Sequence, residues 1–73
     1  MSEEDWNNQA KNILKAELVR QDIKYDELIL RLNKMGVSEN YKALANKINR
    51  GRFTFVFFMQ CMEAINKKIE IRD

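Results

Sequence analysis

The side chains with the clearest chemistry are Lys42, Asn46, Lys47, Arg50 and Arg52, with Ala43 and Asn49 beside them and Ser38 and Asn40 just ahead. Lysine and arginine neutralise phosphate and can hydrogen-bond guanine, while an asparagine amide can pair with adenine through two hydrogen bonds. On that chemistry Asn46 is a candidate adenine contact, and Arg50 or Lys47 a candidate guanine contact. Ala43 is small enough to meet a thymine methyl. Lys42 and Arg52 are better placed for phosphates, which position a protein without reading sequence, and Ser38 and Asn40 can reach phosphate from a turn. Residues 41–62 hold four basic and no acidic side chains, whereas the remainder holds nine basic and eleven acidic ones. Net charge is only +2, so the concentration of charge on one stretch is what points to a polyanion. An ordinary solvated helix face has the same composition.

Other chemistries find less support. The chain has no histidine and no glycine-rich phosphate loop. Its one cysteine, Cys61, sits in an apolar run, where burial raises a thiol pKa and blunts the nucleophile. The carboxylates cluster at helix starts, where capping and dipole effects account for them. An enzyme, a metal site and a small-molecule cofactor are therefore not expected. MSEEDW is acidic rather than signal-like, and no apolar run approaches the roughly 18 residues of a membrane span. A reduced, cytoplasmic setting follows.

The elements that must position these residues are helices. At 73 residues, with no proline and two glycines, the chain suits one domain of helices joined by short turns. Trp6, Ala10, Ile13, Leu14 and Leu18 mark one face of a helix over about 3–20, with Ser2 as its cap and Trp6 as a core anchor. Ile23 plugs the corner that follows. Leu28, Ile29, Leu32 and Met35 mark the inner face of a helix over about 25–34, ended by Gly36. Asn40 caps a third helix, 41–50, whose Tyr41, Leu44, Ala45 and Ile48 turn inward and whose polar residues turn out. Gly51 ends it, and Thr54 caps a fourth helix, 55–65, with Phe55, Phe58, Met59, Met62 and Ile65 toward the core.

The apolar arc of that last helix is wider than one buried face requires. Val56, Phe57 and Cys61 are then candidates for a subunit or partner contact, unless the first helix or the tail covers them. The tail, 67–73, alternates polar and apolar residues, so Ile69 and Ile71 would share one face of a short strand. Pairing with its copy in a homodimer is one outcome, and docking as an extended tail is another.

Gly36-Val37-Ser38, the polar helix, Gly51 and Thr54-Phe55-Val56-Phe57-Phe58-Met59-Gln60-Cys61-Met62 resemble the lambda-repressor and Cro class of helix-turn-helix domains over about residues 11–66. The two glycines stand further apart than is usual in that class, and the glutamine common at the start of its third helix is absent. Asn46-Lys47-Ile48-Asn49-Arg50-Gly51-Arg52-Phe53, with Phe57 to Ile65, also resembles a family of short bacterial proteins, which implies the fold more than the function. The resemblance implies a compact, all-α, four-helix lambda-repressor-like domain with a core of about 3–66 and a short extended C-terminal tail. It implies double-stranded DNA as the partner, with helix 41–50 in the major groove, and transcriptional regulation as the role. A dimer would read two half-sites about one helical turn apart. The competing expectation is a protein-interaction module using the exposed apolar surface of helix 55–65.

Overall fold

Each helix of the chain begins or ends on a local signal that can be read atom by atom. The computed structural model describes residues 1–72. It contains α1 (Glu3–Arg20), α2 (Tyr25–Lys34), α3 (Tyr41–Arg50) and α4 (Phe55–Ala64). Ser2 and Asp5 form a reciprocal capping box at α1: the Asp5 N–H donates to Ser2 Oγ at 3.2 Å, and the Ser2 N–H donates to Asp5 Oδ2 at 3.0 Å. Asn40 Oδ1 accepts from the Ala43 N–H at 2.9 Å, and Thr54 Oγ1 from the Phe57 N–H at 3.0 Å.

Three helix ends share one geometry. After α1, α2 and α4 a residue in the left-handed region turns the chain: Asp22, Gly36 and Asn66. The next amide then reaches back to the helix, Ile23 to Leu18 O at 2.9 Å, Val37 to Leu32 O at 2.9 Å and Lys67 to Met62 O at 2.8 Å. Ile23 is buried by this turn, so the corner after α1 is plugged as its position implied.

The result is an all-helical bundle of four helices, with no strand among the described residues. α2 lies against both α3 and α4, and α1 lies against α3. Leu14 and Leu18, Leu28 and Leu32, Leu44 and Ile48, and Phe57, Cys61, Met62, Ala64 and Ile65 meet in one core, with Ile23 at its edge. The Arg31 guanidinium donates to the Ala64 carbonyl at 3.3 Å and ties α2 to the last turn of α4.

Several expected core positions lie outside. Trp6 is 54% exposed and is not a core anchor, and Ile13 is equally open. The reason is helical phase: Asn7, Leu14 and Leu18 share the inward line of α1, and Trp6 and Ile13 each stand one residue, about 100°, away from it. Met35 and Tyr41 are exposed because each sits at a helix end, although the Tyr41 ring packs at 5.8 Å on that of Tyr25.

In α4 the buried stripe is rotated from the expected one. Phe57 and Cys61 are buried, so they cannot form an exposed partner surface. Phe55 and Met59, expected inside, are 59% and 49% exposed, and Val56 is 62% exposed. Nearly every position of α4 is apolar, so periodicity alone could not choose the face; the common core takes Phe57, Cys61, Ala64 and Ile65. The tail forms no strand: Ile71 is almost fully exposed, and an alternating segment without a paired neighbour has no ladder to join. Asp73, the last residue of that expected tail, lies outside the described residues.

Candidate nucleic-acid interface

α3 exposes its polar residues because Leu44 and Ile48 point into the core. Lys42, Asn46, Asn49 and Arg50 follow at helical spacing and are all exposed. They make a stripe of two cations and two amides about 12 Å long. Ala43 is half-buried, and its amide is held by the Asn40 cap. Asn40 is therefore occupied structurally through its carbonyl oxygen.

Gly51 turns the chain at the end of α3 with φ +66° and is itself buried. A side chain there would meet the Asn7 backbone carbonyl of α1. Arg52 and Phe53 follow this turn. A cleft of about 400 Å³ results, lined by Asn46, Lys47, Arg50, Arg52 and Phe53. Four residues singled out for their chemistry thus share one cleft. Lys42, Ala43, Asn49 and Asn40 do not line it, and Ser38 lies in a separate shallow pocket with Asn33, Gly36, Val37 and Glu39.

Residues 6–69 match the family model described as Domain of unknown function (DUF6471). The chain belongs to this family. The DUF6471 match takes in α2, α3, α4, the cleft and the contact between Asn7 and Gly51. No curated protein and no solved structure matches the chain. No helix among the described residues is long and apolar enough to cross a membrane.

The charge of this DUF6471 cleft differs from a simple sum over the sequence. Lys47 Nζ lies 2.5 Å from Glu39 Oε2 and 5.0 Å from the centre of the Phe57 ring. The Glu39 side chain is only 3% exposed, and the Glu39 N–H donates to Asn33 Oδ1 at 3.1 Å. Lys47 is therefore neutralised locally and held against the core. Arg50, Arg52 and Lys42 form no ion pair among the described residues. Sequence reasoning missed Glu39 because it lies before the acid-free stretch, two helical turns ahead of Lys47. Only the turn that precedes α3 brings the two together.

Beneath this pair, burial pushes the Cys61 thiol up to about 12, with the Glu39 carboxylate adding to the effect and Lys47 opposing it. Such a thiol is neutral and inert at ordinary pH.

Phe53 was missed as well. Its ring stacks on Phe58 at 6.3 Å with an interplanar angle of 11°, and tilts against Phe57 at 5.7 Å. On one side it walls the basic cleft. On the other it walls an apolar groove of about 330 Å³ lined by Ala10, Ile13, Thr54, Phe55 and Phe58. An aromatic directly after the run of basic residues was the available signal.

Proposed function

We propose that this protein is a DNA-binding domain of the lambda-repressor-like helix-turn-helix kind, acting in transcriptional regulation, with α2 as the supporting helix and α3 as the one that enters the major groove. The observation that carries the reading is the exposed, acid-free α3 face that continues into a cleft holding two guanidinium groups, Arg50 and Arg52, that form no ion pair among the described residues. Guanidinium forks and amides are the groups that grip phosphate and read base edges. Asn46, Asn49 and Lys42 supply the rest of the face, with Ser38 and the free amide nitrogen of Asn40 flanking it. Lys47, tied to Glu39, contributes less than its charge suggests.

Four or five phosphate contacts give modest affinity with steep salt dependence. Specific reading of an operator therefore calls for a homodimer, with the outer face of α4 and the Ile69 and Ile71 tail as its contact. The test is fluorescence anisotropy of a mixed-sequence duplex at about 50 and 200 mM salt, with Arg50→Glu beside the parent. Binding that weakens steeply with salt and is lost in the variant supports the reading. Absence of binding at the lower salt, with the helices intact, refutes it.

A second reading rests on Phe55, Val56 and Met59, three large apolar side chains exposed together on α4. On this reading the domain is a protein-interaction module, and these residues take the place of the buried Phe57 and Cys61. Val56→Glu separates the two: it abolishes partner capture while leaving duplex affinity of the monomer unchanged.

A further inference from the structure

We infer that the cleft at the end of α3 takes an unpaired nucleotide, its phosphate on Arg50 and Arg52 and its base on the Phe53 ring. The inference rests on the nucleic-acid reading above and names the form of nucleic acid the cleft fits. Three observations carry it. The first is composition: two guanidinium groups, one amide and one aromatic ring line a single concavity. Closed duplex offers phosphates, base edges and thymine methyls but no free base face, so it leaves the flat face of the ring without a stacking partner. Unpaired strands are held by basic grooves with aromatic platforms, because every base has a π face.

The second is rigidity. Phe53 is clamped by Phe57 and Phe58, so its ring is set before any ligand arrives, and little freedom is lost on stacking. The third is size. At about 400 Å³ the cleft falls within the roughly 300–1,000 Å³ of sites that enclose small ligands, and it is flanked by Asn46, whose amide can donate and accept at a base edge. Lys47 does not compete for the phosphate, because Glu39 holds it.

The experiment compares a thymidine oligomer of about 12 nucleotides with a duplex of the same length, by anisotropy at about 50 mM salt, for the parent and for Phe53→Leu. Helix content and thermal midpoint are recorded for both proteins. On the parent, a single strand carrying one 2-aminopurine reports stacking directly by loss of its fluorescence. The expected result is single-strand binding with 2-aminopurine quenching, weakened roughly tenfold by Phe53→Leu while duplex affinity stays within about twofold. Salt-sensitive binding of duplex alone, or of both probes without quenching, overturns this inference and leaves the duplex reading standing, whereas single-strand binding without quenching and without duplex binding removes both. Failure of the folded parent to bind either probe removes both. Should Phe53→Leu not fold, quenching on the parent decides alone.

Discussion

Replacing Gly51 by alanine should damage this fold far more than replacing Gly36, although both glycines lie in the left-handed region. At Gly51 an added Cβ would stand 1.9 Å from the Asn7 carbonyl oxygen and 2.7 Å from its carbon. That is about 1.5 Å short of ordinary contact, and both atoms belong to backbone inside α1, so no rotamer can relieve the clash. α1 must retreat from α3, which loosens Leu14 and Leu18 in the core. The left-handed backbone costs an L-residue about 1–2 kcal/mol, and forced overpacking adds about 1–3 kcal/mol. A loss of about 2–5 kcal/mol is expected, against a total stability of roughly 4–11 kcal/mol for a chain of this length. At Gly36, φ is +87° and nothing lies within 4 Å of the added atom, so only the backbone cost of about 1–2 kcal/mol applies. Urea unfolding followed by helical circular dichroism measures both variants against the parent. If Gly51→Ala unfolds within about 0.5 kcal/mol of Gly36→Ala, the close approach of α1 to the α3 turn is not what requires this glycine.

Three further outcomes are expected. Glu39→Gln releases Lys47 into the cleft: polyanion affinity rises, the salt slope steepens by about one, and stability drops by about 1 kcal/mol, as salt titrations and urea curves will tell. Asn40→Asp keeps the α3 cap, so stability holds within about 0.5 kcal/mol, while the new charge beside the α3 stripe weakens duplex binding; unchanged affinity would exclude Asn40 from the interface. Cys61 titrates near 9.0 when unfolded and near 12 when folded, so the unfolded chain releases its proton first. Its contribution is therefore complete below about pH 9 and is lost as pH rises toward 12, at up to about 1.4 kcal/mol per pH unit. Cys61→Ala should lack that slope in unfolding curves across this range. An aromatic disulfide reagent should modify the native thiol only on unfolding.

Much of the fold was legible because its signals are local. Ser2, Asn40 and Thr54 name their helices' starts, Gly36 and Gly51 name two ends, and the leucines of α1 and α2 and the Leu44 and Ile48 of α3 fall at clear helical spacing. α4 was harder because an almost uniformly apolar helix has no polar face to fix its rotation. The depth of Phe57 and Cys61 and the exposure of Phe55 and Met59 come from how α4 docks into the common core. Trp6 misled for a related reason, since it stands about 100° from the inward line through Asn7, Leu14 and Leu18, and a broad apolar arc does not say which line is buried. At the candidate site, residue types and helical phase marked Asn46, Arg50 and Arg52. The pairing of Glu39 with Lys47 and the position of Phe53 depend on two turns, and no periodicity reports on a turn's path.

The ring of Phe53 is a party wall, with the basic cleft on one side and the apolar groove on the other. Two chambers that share one wall are not independent receptors. By whatever factor an occupant of the groove, packed on this ring, changes affinity in the cleft, the cleft's own ligand alters affinity in the groove by the same factor. A drug-like apolar compound seated between Ile13 and Phe55 would thus report on charge chemistry it never touches.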